Sequence, residues 1–279
     1  MKLINDIITS RNNATVKWVA SLQDKKWRER EKCFIAEGEK LSYEAIEANL
    51  PLHSIFVSES KKDKILDKLS EILISDSYKN LPVYLLADSV FEKISTEKAP
   101  QGVISVIKSL DFFYNIDIIY KEEFFLDENE KALALYSVRD PGNLGSVIRS
   151  AVAFGVDHIV MTADCADIYN PKTVRSAMGS LYRTKVTIVK DFESFIDAAK
   201  HNGRRVFAAE LSENAKSLHE IGLTKGDIVI IGNEGHGIDE NISSLCTASI
   251  FIPISQATES LNASVAASVF MWELKKSRK

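Results

Sequence analysis

Apolar runs of roughly four to eight residues alternate with longer amphipathic stretches along almost the whole chain. In the first half the runs are CFIAEG, HSIFVS, PVYLLA and GVISVI, separated by helix-like segments such as EKLSYEAIEA and KKDKILDKLSEIL. The second half gives ALALYSV, DHIVMT, VTIV, RRVFAA, DIVIIGNE and SIFIPI. Runs of this length joined through amphipathic segments of roughly ten to fifteen residues indicate βα units and mainly parallel sheets buried on both faces. The expectation is an α/β chain, preceded by a basic, helical N-terminal arm.

At 279 residues the chain exceeds the roughly 100–200 of a typical domain, which predicts two domains. Glycine usage divides it. Only Gly38 and Gly102 precede residue 141, and the other ten of twelve glycines follow it. Glycine is needed where backbone turns through positive φ or approaches a ligand closely, so the second half is expected to hold the site. The boundary falls in the acidic, aromatic stretch 109–131, read as a linker that packs partly on a domain. The predicted division is 1–108, a linker over 109–130, and 131–279.

Hydrophobic residues at 45% and charged residues at 27% argue against wholesale disorder. No apolar run approaches the ~18 residues of a membrane span, and the start MKLINDIITSRNNATVK has no apolar core of a secretory signal. Cys33, Cys165 and Cys246 lie far apart and the histidines are scattered, which speaks against a disulfide framework or a metal site. A reducing, cytoplasmic setting is expected. The net charge of −4 conceals basic segments. From Arg11 to Lys32 seven basic residues stand against three acidic, and Lys172, Arg175, Arg183 and Lys185 form a stretch with no acid among them. The tail adds Lys275, Lys276, Arg278 and Lys279, while seven carboxylates gather in 111–130. Patches, not totals, set affinity for phosphate, although solvated helix faces would read the same way.

Three segments stand out. RDPGNLGSVIRSAVAFG (139–155) follows an apolar run and enters a helix near Asn143, which places Asn143 and Arg149 near a strand's carboxyl end, where open α/β sheets bind ligands. DIVIIGNEGHGID (227–239) runs a strand into a loop spaced G-x-x-G-x-G. This is neither the dinucleotide fingerprint nor a P-loop, so a conventional Rossmann enzyme and a nucleotide hydrolase are both disfavoured. Glu234 sits at its apex, and His236 is read as incidental. IPISQATESLNASVAASVFMWEL (252–274) ends a strand and opens a helix at Glu259-Ser260-Leu261-Asn262, where Ser260 would cap well. Each segment alone is also compatible with an ordinary capped turn.

Together, in this order, the three resemble the motifs of the SpoU/TrmH family of RNA ribose 2′-O-methyltransferases, within the SPOUT superfamily. The resemblance covers about 131–274, including NPKTVRSAMGSLYRTKV. The first half is similar, more loosely, to that family's L30e-like substrate-binding domain, through FIAEGEKLSYEAI and APQGVISVI. The resemblance implies a C-terminal trefoil-knotted SPOUT domain behind a smaller N-terminal L30e-like α/β domain. The knot is implied by resemblance alone.

It also implies S-adenosylmethionine as methyl donor, with Gly232, Asn233, Gly235, Ile252 and Leu261 at donor-binding positions and no metal. Arg149, Asn143, Glu234, Ser260 and Asn262 match the catalytic positions. The family assigns removal of the 2′-hydroxyl proton to the arginine matching Arg149. An arginine titrates above ~12, so binding of the 2′-oxygen and its neighbouring phosphate is the preferred role. Asn143 would orient Arg149 or the ribose, and Glu234 would hold the arginine or a loop amide. Arg11, Lys172, Arg175 and Arg183 suit phosphate contacts. Ribosomal RNA, of the large subunit, is the favoured partner, ahead of transfer RNA, and a homodimer is expected. Gln256 stands where the third motif usually has glycine, which bears on donor affinity. The rival from another class is a non-catalytic RNA-binding or ribosome-assembly protein on the same fold; it predicts decay of site residues that are all present.

Overall fold

A computed structural model describes residues 1–110, 113–116, 126–127, 130–255 and 257–276. Most of the expected linker, Gln256, and the tail residues Arg278 and Lys279 lie outside the described residues. The chain forms two compact units.

The first unit comprises Met1–Leu110 together with Asp167–Tyr182. It runs β1 (Lys2–Ile8), α1 (Ala14–Ser21), α2 (Lys25–Glu31), β2 (Cys33–Glu37), α3 (Glu39–Glu47), β3 (Leu52–Ser58), α4 (Lys62–Ile72), β4 (Pro82–Leu86), α5 (Asp88–Ile94) and β5 (Val103–Lys108). The N-terminal arm is therefore a strand first and helical only afterwards. β1 pairs in parallel with β4, and Leu3, Ile7 and Ile8 pack against the cores on the two faces, which a helical reading of the arm overlooks. The strand order is β1-β4-β3-β5-β2. The first three are mutually parallel, whereas β5 is antiparallel to both its neighbours, so β5 alone runs against the other four strands and the mainly parallel pattern has one exception in this unit. β5 starts at the end where β4 finishes, with Val103 opposite Val57 and Leu86 opposite Ser58. The short α5 and residues 95–102 thus return the chain to the same end of the sheet.

Alternation along β3 divides the core. Phe56 joins Val16, Val19, Phe91 and Ile94 under α1 and α5, while Ile55 and Val57 join Ile46, Ile65 and Leu69 under α3 and α4. The distant segment 167–182 is fixed in this unit by polar and aromatic contacts. Arg28, 4% exposed, donates from Nε and Nη2 to Asp167 Oδ2 at 3.1 and 2.5 Å. Its Nη1 donates to the carbonyls of Leu22 and Gln23 at 2.8 and 2.6 Å. The Tyr169 ring stacks on Phe34 at 4.4 Å, and its hydroxyl accepts the Leu110 N–H at 2.7 Å.

The chain continues with β6 (Phe113–Ile116), β7 (Ala132–Leu135), α6 (Pro141–Phe154), β8 (His158–Thr162) and α7 (Pro171–Ala177), the last of these in the first unit. Then follow β9 (Lys185–Val189), α8 (Phe192–His201), β10 (Val206–Ala209), β11 (Lys216–Ser217), β12 (Ile228–Ile231), α9 (Glu240–Leu245), β13 (Ala248–Phe251) and α10 (Ala263–Lys276). The second unit's sheet has the order β11-β13-β10-β12-β7-β8-β9-β6, every pair parallel, as the fully apolar runs predict. Ala132 and Ala134 of β7 cluster with Ile228, Ile230, Phe195 and Ile242 on the side of α8 and α9. The equally buried Leu133 and Leu135 alternate to the side of α6 and α10, which pack on each other. Among the described residues no helix is long and apolar enough to cross a membrane.

Candidate active site

The loop after β12 is built on a close backbone approach. A Cβ on Gly232 would lie 2.5 Å from the carbonyl carbon and 2.6 Å from the oxygen of Gly237, so only glycine fits. Asn233 and Gly237 exchange both backbone hydrogen bonds, at 2.9 and 3.0 Å. The Asn233 side chain accepts the N–H groups of Gly235 and His236 at 2.8 and 3.1 Å and donates to the Ser137 carbonyl at 2.6 Å. Ser137 has φ +54° and donates its N–H to Thr162 Oγ1 at 2.9 Å. The loop is thereby tied to the carboxyl ends of β7 and β8.

Glu234 closes the loop onto α6. Asp140 caps that helix by accepting the Asn143 N–H at 2.8 Å, and Pro141 opens it with no N–H to satisfy. The Glu234 carboxylate accepts the N–H groups of Arg139 and Asp140, each at 3.4 Å, and Asn143 Nδ2 at 2.9 Å. Asn143 Oδ1 in turn accepts Asn262 Nδ2 at 2.9 Å. Asn262 also caps α10, its Oδ1 accepting the Ser264 N–H at 2.9 Å and hydroxyl at 2.7 Å. The expected cap, Ser260, does not take that position; it lies exposed two residues before the cap, because the helix starts at Ala263.

Two adjoining cavities border these segments. One, of about 480 Å³, is lined by Gly232–Gly235, Ser260 and Asn262; the other, of about 530 Å³, by Leu211, Ile250, Ile252, Ile254 and Leu261. Ala209, Glu259, Ser260, Leu261 and Ala266 line both. The first is polar through the loop's amides, and the second is mostly hydrocarbon.

Arg149 is not brought into this cluster. It is exposed, makes no hydrogen bond or ion pair with any described residue, and stands six positions after Asn143, about 120° around α6. Of the basic candidates, Arg11 donates to the Ser89 carbonyl at 2.9 Å and lies 3.9 Å from Glu92, while Arg175 is paired with Glu97 and Thr96. Lys172 lies on α7 in the first unit, and Arg183 is exposed in the second.

Several residues in or next to the site carry no motif signal. Asp164, held by Ser137 and Thr162 hydroxyls and by Arg139, keeps its carboxyl low; burial opposes this and the hydrogen bonds outweigh it. The Tyr136 hydroxyl donates to Asp239 at 2.6 Å, and that bond, with burial, pushes the phenol up to about 12. Ala209 and Glu210 reach the cavities only because β10 lies between β12 and β13.

Residues 130–272 match the SpoU rRNA Methylase family, and residues 13–105 match the MRM3-like substrate binding domain. The 23S rRNA (guanosine(2553)-2′-O)-methyltransferase RlmP of Bacillus subtilis is 30% identical over 268 residues, covering 96% of this chain and 98% of its own. The 23S rRNA (uridine(2479)-2′-O)-methyltransferase of Streptomyces viridochromogenes is 26% identical over 275 residues, 97% and 92% of the two chains. The AdoMet-bound rRNA methyltransferase of Sinorhizobium meliloti has a similar structure, with a TM-score of 0.78 at 25% identity over 97% of each chain. The resemblance read from the three motifs is borne out: the chain belongs to the SpoU rRNA methylase family.

Proposed function

We propose that this chain transfers a methyl group from S-adenosylmethionine to a ribose 2′-hydroxyl of ribosomal RNA, that of the large subunit. The observation that carries this reading is the hydrogen-bonded chain Glu234–Asn143–Asn262, which joins all three motifs beside the two cavities. The names of the relatives from Bacillus subtilis and Streptomyces viridochromogenes support ribosomal RNA as the substrate.

The residues present fit the donor. The apolar cavity between Leu211, Ile252 and Leu261 suits a flat base, and the close approach at Gly232 lays the loop Asn233–Gly235 along the polar cavity, where the side chains of Ser260 and Asn262 can meet a polar tail. S-adenosylmethionine supplies, when bound, a methyl carbon made electrophilic by its sulfonium. The protein's share is position and charge. Glu234 fixes the loop, Asn143 and Asn262 hold the ribose side of the pocket, and Ser260 completes its rim. Arg149 binds the 2′-oxygen and the adjoining phosphate and stabilises negative charge on that oxygen as the hydroxyl releases its proton to solvent.

Arg149 serves the site of a partner copy in a homodimer. This is supported by its separation from Asn143 around α6 and by apolar surface left on α6 and α10. Val152 and Phe154 are half-buried there, and Val265 and Trp272 of α10 are 49% and 45% exposed. Arg183 and Lys172 meet RNA phosphates, and Arg11 and Arg175 exchange Glu92 and Glu97 for phosphate on binding. The knotted path belongs to the same reading, supported by the loop at 232–237 and the segment 259–263 lining one cavity. So does a cytoplasmic setting, with all three cysteines free.

The test is incubation with methyl-labelled S-adenosylmethionine and unmodified ribosomal RNA, followed by digestion to nucleosides. Label in a 2′-O-methylnucleoside with wild type and none with Arg149→Ala is the expected outcome; label on a base overturns the chemistry.

A further inference from the structure

Glu210 belongs to none of the three motifs, yet it lines the apolar cavity. In the sheet β10 lies between β12 and β13, with Ala209 opposite Ile231 on one side and Ile250 on the other. Gly232 and Ile252 follow those two neighbours at their carboxyl ends, so the residue after β10 is set between two donor-binding positions. Its N–H donates to the Ile250 carbonyl at 3.0 Å, and Oε1 accepts the Ser249 hydroxyl at 2.6 Å. Oε2 receives no hydrogen bond from any described residue. Leu211, Ile250, Ile252 and Ile254 make the surrounding wall hydrocarbon. Glu259, the cavity's other carboxylate, stands exposed.

A half-buried carboxylate that a serine fixes at one oxygen and leaves open at the other is an acceptor waiting for donors. The reacting end of the donor must reach the polar cavity beside Asn143 and Asn262, which leaves the nucleoside end in the apolar one. There the strongest paired donors a ligand offers are the vicinal hydroxyls of a ribose. A carboxylate takes such hydroxyls well, as an acidic residue does in dinucleotide-binding folds. We infer that Glu210 accepts the ribose hydroxyls of S-adenosylmethionine and fixes its nucleoside end, with Ser249 as the positioning residue. The inference rests on the methyl-transfer reading.

The experiment is calorimetric titration of the full chain with S-adenosylhomocysteine and with its 2′,3′-dideoxy analogue. Wild type should prefer the intact ribose by about tenfold or more, the scale of a hydrogen bond to a charged group. Glu210→Gln should lose about tenfold for S-adenosylhomocysteine and little for the dideoxy analogue, so that the preference collapses. Glu210→Asp, which keeps the charge but draws it back by one methylene, should lose preference in the same sense and serves if the glutamine variant does not fold. A wild-type preference retained in the variants, or an equal loss for both ligands, overturns the assignment while leaving the methyl-transfer reading intact. Failure of wild type to bind S-adenosylhomocysteine overturns that reading and this inference with it.

Discussion

Asn143 and Glu234, 91 positions apart, meet through a 2.9 Å hydrogen bond from Asn143 Nδ2 to Glu234 Oε1. A carboxylate offers no donor, so the bond decides which way the Asn143 amide faces. Its oxygen must then point to Asn262 Nδ2, 2.9 Å away, which leaves Asn262 Oδ1 to cap α10. One acidic residue in the glycine loop therefore sets two amide orientations and the start of a helix. Each of these segments alone is an ordinary turn; the chain of acceptors and donors is what makes them a site.

Removing Glu234 should uncouple the three segments. Glu234→Ala leaves the N–H groups of Arg139 and Asp140 and the Asn143 amide without their acceptor. Because Glu234 is exposed, water can replace the lost bonds, and the stability cost should stay near ~1 kcal/mol. Turnover should suffer far more, by about 100-fold, since it depends on placement. Single-turnover methylation beside urea unfolding would test this; a large stability loss with a proportionate activity loss would count against a positioning role.

Gly232→Ala should fail through the backbone. Its Cβ meets the Gly237 carbonyl at 2.5 to 2.6 Å and Ile238 Cγ1 at 2.7 Å, and a backbone carbonyl cannot rotate away as a side chain can. Relief requires opening the Asn233–Gly237 pair. The expected loss is about 1–3 kcal/mol of stability, together with most of the affinity for S-adenosylhomocysteine. Calorimetric binding at wild-type strength would show that the loop can shift without consequence.

The strands were legible because apolar runs in parallel sheets are buried on both faces and need no partner to be recognised. The β1 strand was not, because KLINDII precedes a basic stretch and shows its pairing only against Pro82–Leu86, some 80 residues away. The antiparallel β5 depends on where residues 95–102 return the chain, which no local pattern records. The motif residues stood out by type and spacing, but Asn262, not Ser260, caps α10, since both are good caps and tertiary bonds choose between them. Arg28 counted as one more surface base, yet its guanidinium is buried against Asp167, a contact set by a segment 139 positions on.

That contact predicts a stability defect in the first unit. Arg28→Met removes the donors to Asp167, Leu22 and Gln23 while keeping much of the side chain's bulk. Asp167, 15% exposed, is left charged, with the Tyr169 N–H at 2.9 Å as its remaining donor among the described residues. Breaking one partner of a buried pair costs about 3–5 kcal/mol. The urea midpoint should fall accordingly. The double variant Arg28→Met/Asp167→Asn should recover part of the loss, and no recovery would place the cost elsewhere.

His158 predicts a pH dependence of stability. It is 3% exposed, its Nε2 lies 2.7 Å from Thr187 Oγ1, and its Nδ1 lies 3.4 Å from Glu130 Oε1. Burial, helped by Lys185 and Arg204, holds the imidazole below its ordinary 6.5 despite Glu130. The unfolded chain therefore takes up a proton where the folded one does not, and stability should fall as pH drops below about 6.5. Glu130 is held below 4.5: burial opposes this, and the bond from Lys185 with the nearby His158 prevails. Its contribution is thus lost only at lower pH. His53 is depressed as well, by burial and then Lys108. His158→Gln should flatten part of the slope of unfolding free energy between about pH 7 and 5.5. An unaltered slope would assign the dependence to other groups.

Arg149 and Glu234 provide the test of whether the proposed dimer shares its sites. Arg149→Ala and Glu234→Ala should each keep no more than about 1% of turnover alone, the background against which rescue is read. If the arginine serves the partner's pocket, a mixed dimer carries both defects in one site and neither in the other. Equal mixing after reversible dissociation then restores about a quarter of wild-type activity, because half of the dimers are mixed and each has one intact site. If both residues act within one chain, every site keeps one defect and no activity returns. Trp272→Glu, placed on the apolar face beside Val265, should prevent the rescue by keeping the chains apart, with sedimentation reporting the monomer. Rescue that survives in a monomeric variant would exclude a shared site.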